Sequence, residues 1–239
     1  MGLTDSGQRN SAEDHARRVR EMFAKISPRY DLLNHLLSAN VDTRWRRRVV
    51  RKIAPRLAPD ARVLDVGCGT GDLSIEIFEK TAAPVVGIDF CRPMLELASR
   101  KAPQLRFIEG DALKLPFADS LFDCITIAFA LRNLSSVESG LAELRRVLKP
   151  KGTLAILEFS QPTVPVIRQL VRFYYWGLLP WIGGGFSGSR SAYEYLPDSI
   201  GKFPNQEALA EMMRAAGFDE VEFENLSGGI AALHTGRRV

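Results

Sequence analysis

Val63-Leu64-Asp65-Val66-Gly67-Cys68-Gly69-Thr70-Gly71-Asp72 is the stretch on which the fold turns. Three apolar residues, Val63, Leu64 and Val66, run with Asp65 into three glycines spaced by single residues, and a helical pattern starts at Gly71. A strand therefore hands over to a helix through a tight turn whose glycines let a ligand approach the backbone. Amides at the start of the helix favour a carboxylate or phosphate, so the turn points to the nucleotide class. A dinucleotide-binding turn, G-x-G-x-x-G, would place its third glycine at Asp72. This chain instead has G-x-G-x-G, with an acid, Asp65, two residues before the first glycine, which disfavours an NAD site.

On either side of this turn, short β-rich runs alternate with helical stretches, the pattern of a parallel sheet with crossover helices. Strands are predicted at Arg62 to Val66, Pro84 to Asp89, Gln104 to Glu109, Phe122 to Ala130 and Thr153 to Phe159, with helices at Gly71 to Lys80, Arg92 to Arg100 and Val137 to Leu148. Lys149-Pro150-Lys151-Gly152 reads as a helix stop and turn. Near the end, Asn205 to Ala216 is a predicted helix closed by Gly217, and Glu220 to Glu224 and Ile230 to Thr235 are predicted to finish the sheet as an antiparallel pair. Upstream, Ser11-Ala12-Glu13-Asp14 has the form of a capping box, and Val19, Met22, Phe23 and Ile26 share one helical face. The expected organisation is an N-terminal helical lid over 1–58 and a sheet domain over 59–239, with an aromatic-rich insertion at 161–204. A sheet domain already has its core, so the insertion's Phe173, Tyr174, Tyr175, Trp176, Trp181 and Phe186 are expected to cover a greasy ligand, a membrane surface or a subunit interface.

At 239 residues with 46% hydrophobic and 25% charged content, the chain is a folded protein with its own core, not a disordered or fibrous one. Cys68, Cys91 and Cys124 form no C-x-x-C pair and are odd in number, which excludes a disulfide framework or a zinc site built from them. No ligand cluster suggests a metal. The opening Met1 to Asn10 lacks an apolar h-region, which argues for a reducing cytoplasm. The net charge of +4 is concentrated in Arg44, Arg46, Arg47, Arg48, Arg51, Lys52 and Arg56, with no acid between them. Such a run is either a solvated helix face or a surface for phosphate-bearing partners.

Asp89 ends the second strand 18 residues after Gly71, where a carboxylate accepts both hydroxyls of a ribose. Asp111 and Ala112 follow the third strand and border the same crevice, in reach of an exocyclic amine. Together with Pro116-Phe117 and Phe122-Asp123, these residues resemble the class I S-adenosylmethionine-dependent methyltransferases across residues 60–160. That resemblance implies a Rossmann-like α/β fold: a mostly parallel seven-stranded sheet with an antiparallel C-terminal hairpin and a helical N-terminal lid. It also implies S-adenosyl-L-methionine as cofactor, held by Asp65, Gly67, Gly69, Thr70, Asp89, Asp111 and Ala112.

Other motifs lie outside that span or within it: Tyr30-Asp31-Leu32-Leu33-Asn34 with Ser38 and Trp45, Phe129-Ala130-Leu131-Arg132-Asn133, Arg145 to Gly152, Leu157 to Pro162, Tyr195-Leu196-Pro197-Asp198-Ser199-Ile200 with Phe203-Pro204, and Gly228 to Gly236. These resemble the UbiE/MenG family, the C-methyltransferases of menaquinone and ubiquinone biosynthesis. The chain departs from the family at Asp42, commonly histidine, at Ala128, often a serine touching the cofactor, and at Lys151, usually glycine. The implied acceptor is a polyprenylated quinol, methylated on a ring carbon and most simply a demethylmenaquinol, with the benzoquinol of the ubiquinone pathway as the alternative. Ring attack needs the phenol, with a pKa near about 10, to lose its proton, so a base or a phenolate-stabilising group is required. Arg132 and Asn133, at the end of the fourth strand, are the first candidates to hold that oxygen, and Tyr30, with Asp31 and Asn34, the second.

Partners expected on this reading are the quinol, the inner face of the membrane by peripheral contact, and a second copy in a homodimer, without nucleic acid. Two rivals stand beside it. An RNA methyltransferase is suggested by the arginine run, but the N/D-P-P-Y/F tetrapeptide of amino-group methylation is replaced by Ala130-Leu131-Arg132-Asn133. A non-catalytic subunit of a quinone-synthesis complex would bind cofactor without turnover, and intact Gly67, Gly69, Asp89 and Arg132 count against it.

Overall fold

The computed structural model describes residues 14, 17–27, 40–173 and 190–239. Helix α1 covers residues 17–26 and α2 covers Val41–Ile53. Strands and helices then alternate: β1 (Val63–Val66), α3 (Asp72–Thr81), β2 (Val85–Asp89), α4 (Arg92–Lys101), β3 (Arg106–Glu109), β4 (Phe122–Ala128), α5 (Val137–Val147) and β5 (Leu148–Phe159). Helices α6 (Pro165–Phe173), α7 (Arg190–Lys202) and α8 (Gln206–Ala215) lead to β6 (Phe218–Leu226) and β7 (Ala231–Arg238). The seven strands form one sheet in the order β3-β2-β1-β4-β5-β7-β6, in which β7 runs antiparallel to both neighbours.

Helices cover both faces of this sheet, which is why β1 is buried at all four positions. On one face, Leu64, Ile125, Ile127, Leu154 and Ile156 meet Leu141, Leu144 and Val147 of α5, a stripe at helical spacing. On the other, Val63, Val85, Cys124, Ala155 and Leu157 meet Ile77 of α3 and Trp45, Val49, Val50 and Ile53 of α2. Helix α2, which falls within the 1–58 segment expected to form the lid, packs its Trp45, Val49, Val50 and Ile53 into this core, each 6% exposed or less. The α5 and α8 starts were legible, with the Ser136 Oγ accepting from the Ser139 N–H at 3.1 Å and the Asn205 Oδ1 from the Ala208 N–H at 2.9 Å.

The arginine run finds its acids elsewhere in the chain. Arg46 pairs with Asp42 at 2.7 Å and Asp72 at 3.2 Å, Arg48 with Glu224 at 2.8 Å and Lys52 with Glu222 at 2.9 Å. Glu224 accordingly raises the pKa of Arg48.

Two strand ends also differ from expectation. β4 stops at Ala128 because Phe129 takes a φ of 56°, which no strand residue adopts. β5 begins at Leu148, so the expected turn at Lys149 to Gly152 is instead absorbed within the strand, where the pairing register with β4 shifts between Phe122 and Cys124. Lys151 is held there at a φ of 64°, while its carbonyl accepts from Arg237 Nη2 at 3.0 Å. A left-handed lysine costs about 1–2 kcal/mol, part of which glycine would return as unfolded-chain entropy. Lys151→Gly is therefore expected to stabilise the fold by about 0.5–1 kcal/mol, read as a rise of roughly 2 °C in melting temperature; a fall would show that the lysine side chain supports the bulge.

Candidate active site

The strand order reverses between β1 and β4, and in open α/β sheets the crevice beyond the carboxyl ends of such strands is where ligands bind. Gly67 and Gly69 form one side of it, at φ 64° and 54°. A Cβ on Gly67 would lie 2.2 Å from the Cβ of Ala130 on the opposite loop, so only glycine lets the two loops meet. Asp89 closes β2 beside them: its Oδ2 accepts from the Gly69 N–H and its Oδ1 from the Cys91 N–H, both at 2.8 Å. Burial raises the Asp89 pKa, against the lowering effect of those amides.

Gly67, Gly69, Asp89, Asp111, Ala112 and Asn133 all line one cavity of about 130 Å³. Asp111 anchors its own loop, the Oδ1 accepting from the Leu113 N–H at 2.8 Å, which leaves the second oxygen for a ligand. Arg20 and Phe23 of α1 line the same cavity, with the Arg20 guanidinium 5.6 Å from the centre of the Phe90 ring. A larger cleft of about 500 Å³, lined by Arg56, Asp123, Lys149, Lys151 and Arg237, lies at the other end of the strands and contains none of the candidate residues.

Two expected cofactor contacts lie outside the cavity lining. Asp65 is 1% exposed beneath the loop, its oxygens accepting from the Ser74 hydroxyl at 2.6 Å and the Thr126 hydroxyl at 2.7 Å. It ties β1 to the first turn of α3 and to β4. Thr70 is turned toward α4, its hydroxyl accepting from Lys101 Nζ at 3.1 Å. Burial pushes the Asp65 pKa up to about 6, in spite of the two hydroxyls. Since this lies above the unfolded value of 3.8, the folded state holds the proton more tightly, and stability falls as pH rises from about 4 to about 6, then levels. Asp65→Asn retains the shape and removes the charge. Urea unfolding should find the variant more stable than the unsubstituted protein by up to about 3 kcal/mol at pH 7, the two converging near pH 4; an equal gap at both values would refute the buried-charge account.

The acceptor-side candidates divide. Asn133 reaches the cavity from the short turn Leu131–Asn133, but Arg132 does not. The Arg132 side chain is 6% exposed and its Nη1 bonds the Glu158 carboxylate at 2.8 Å and the Phe129 carbonyl, with its guanidinium 5.3 Å from the centre of the Phe159 ring. The guanidinium expected to hold the acceptor oxygen is thus committed to a buried carboxylate and a backbone carbonyl, an arrangement that clamps the loop. Behind that loop, Phe129 and Phe159 pack at 4.7 Å and Trp45 of α2 lies about 6 Å from both, its indole N–H donating to the Ser227 hydroxyl at 3.0 Å. Tyr30, Asp31 and Asn34 lie outside the described residues, as do Tyr174, Tyr175, Trp176, Trp181 and Phe186. Arg20 and Tyr195 went unassigned in the sequence; Arg20 sits one helical turn before Phe23, and Tyr195 belongs to a family-like motif that carried no role.

The residues present fit S-adenosylmethionine: a carboxylate at the end of β2 for the ribose, close-approach glycine backbone, and Phe90, Met94 and Leu113 as apolar walls for a purine. The ubiE/COQ5 methyltransferase family model matches residues 10–238. A relative named "Demethylmenaquinone methyltransferase" from Thermus thermophilus is 50% identical over 91% of this chain and 100% of its own length. One of the same name from Deinococcus radiodurans is 46% identical over 94% of each. A "Ubiquinone/menaquinone biosynthesis C-methyltransferase UbiE" from Citrifermentans bemidjiense is 47% identical over 92% of this chain and 96% of its own. Among solved structures, the [4+2]-cyclase SpnF aligns with a TM-score of 0.68 at 19% identity over 93% of this chain and 96% of its own. A SAM-dependent methyltransferase from Thermotoga maritima aligns at 0.66 and 18% over 92% and 99%. Those two share the fold, and a cyclase among them shows that the fold alone does not set the chemistry. With the family model matched from end to end of the sheet and its flanking helices, this chain belongs to the ubiE/COQ5 methyltransferase family.

Proposed function

We propose that this enzyme C-methylates the ring of a demethylmenaquinol, using S-adenosylmethionine. The observation that carries the reading is that one cavity brings together Asp89, on the nucleoside side, and Asn133, on the acceptor side. When bound, S-adenosylmethionine supplies an electrophilic methyl group on a sulfonium. Asp89 accepts the ribose hydroxyls, Asp111 accepts from the adenine amine while the Ala112 N–H donates to a ring nitrogen of the adenine, and Gly67 and Gly69 let the backbone lie against the rest. Asn133 holds the acceptor oxygen, orienting the ring so that a bimolecular encounter becomes a local one. Arg20 and Phe23 of α1 shield the crevice from water. The naphthoquinol is favoured over the benzoquinol by the names of the Thermus and Deinococcus relatives.

Peripheral membrane contact belongs to the same proposal. Among the described residues no helix is long and apolar enough to cross a membrane. Helix α6 follows the carboxyl end of β5, on the same side of the sheet as the crevice, and presents Val166 and Leu170 at 66% and 62% exposure. That face is suited to rest in the interface from which a prenylated substrate enters.

Incubation with methyl-labelled S-adenosylmethionine and, separately, demethylmenaquinol and its benzoquinol counterpart tests the proposal. Product mass and fragmentation should show one methyl on the naphthoquinol ring. Label only on the benzoquinol, or on an oxygen, would overturn the acceptor assignment.

A further inference from the structure

Asn133 offers two hydrogen-bonding ends, a carbonyl and an NH₂, and the terminal torsion of an asparagine is soft and roughly two-fold. Which end faces the acceptor decides whether the site stabilises a phenolate or repels it. Two contacts fix that choice. The Asn133 Nδ2 donates to the Phe129 carbonyl at 3.3 Å, and the Oδ1 accepts from the Tyr195 hydroxyl at 2.9 Å. Tyr195 stands on α7, within the 161–204 insertion and 62 residues away in sequence, so this bond ties the insertion to the acceptor loop. The Phe129 carbonyl is itself held by Arg132, which Glu158 holds in turn. The second hydrogen of Nδ2 has no acceptor among the described residues.

We propose that Tyr195 is a positioning residue: its hydroxyl occupies the Asn133 carbonyl, so that the amide presents an N–H to the acceptor oxygen as it becomes an anion. This rests on the acceptor chemistry given under Proposed function. Burial raises the Tyr195 pKa, as do Glu158 and Asp198, while Arg132 lowers it, and the phenol remains a donor at neutral pH. A phenyl ring cannot hold the amide in this way. Without the hydroxyl only the 3.3 Å bond to the Phe129 carbonyl holds the amide, so Asn133 turns its carbonyl toward the phenolate more readily, a repulsive contact where an attractive one is needed.

The test compares Tyr195→Phe, Asn133→Ala and the double variant with the unsubstituted enzyme. Tyr195→Phe is expected to lower kcat about tenfold, with unchanged S-adenosylmethionine affinity, and to move the acid limb of the kcat profile to higher pH, because the acceptor phenol has lost a partner for its anion. Adding Tyr195→Phe to Asn133→Ala should change kcat no further, since the hydroxyl acts only through that amide. A second readout is independent of turnover: the pKa of bound 1-naphthol, followed by absorbance, should be lower on the unsubstituted protein than on Tyr195→Phe. Additive losses, an unmoved pH profile or equal naphthol pKa values would overturn the proposal. An unsubstituted protein that lowers the naphthol pKa through Tyr195 but methylates no quinol would overturn the acceptor reading alone.

Discussion

Glu158→Ala is expected to destabilise the protein by about 3–5 kcal/mol, seen as a fall of roughly 10 °C in melting temperature. Glu158 is 1% exposed on β5 and bonds the Arg132 guanidinium at 2.8 Å, the Arg132 N–H at 3.3 Å and its neighbour's N–H, that of Phe159, at 2.8 Å. Removing it strands a guanidinium whose side chain is 6% exposed, together with two amides. The desolvation already imposed on Arg132 is then uncompensated, which is why losing one partner of a buried pair costs more than the pair contributes. Replacing both partners with methionine should recover much of the stability, because neither charge remains buried. Turnover should not recover, since the loop bearing Asn133 loses its clamp. A melting temperature unchanged in Glu158→Ala would mean that Arg132 reaches solvent and that the clamp is not as drawn.

For Asp89→Ala, S-adenosylmethionine binding should weaken by about 10- to 100-fold. A carboxylate accepting a ribose hydroxyl contributes about 1.5–3 kcal/mol, and every 1.4 kcal/mol is tenfold in affinity. The substitution also frees the Gly69 amide, which the Oδ2 holds at 2.8 Å, so the glycine turn loses its brace as the ribose loses its acceptor. Calorimetric titration separates this from unfolding if the melting temperature is measured alongside. Affinity within twofold of the unsubstituted enzyme would remove Asp89 from the cofactor site.

Much of this was legible in the sequence because it is local. The strand-to-helix turn at Gly67 to Gly71 is written in neighbouring residues, and so are the caps at Ser136 and Asn205. Asp89 and Asp111 were legible for a related reason: their places at strand ends follow from strand periodicity, and the ends of adjacent strands in a parallel sheet share one crevice. Partnerships across long separations were not legible. Arg48 and Lys52 find Glu224 and Glu222 at separations of 176 and 170 residues, so a run that looks like bare positive charge is paired in part. Arg132 read as a free cation beside the crevice because nothing in its own segment announces Glu158, 26 residues on. Asp65 looked like a ligand-facing acid, whereas strand alternation and the hydroxyls of Ser74 and Thr126 bury it under the loop. The Lys149 to Gly152 turn failed for a third reason: proline and glycine end a helix, but a strand can absorb them as a bulge.

The account rests on donor and acceptor meeting in the crevice between β1 and β4. The most direct measurement is a crystal structure with S-adenosylhomocysteine bound. The ribose hydroxyls should lie within hydrogen-bond distance of Asp89, with the sulfur directed toward Asn133. A nucleoside seated in the basic cleft at the opposite end of the strands, or a sulfur turned away from Asn133, would contradict it.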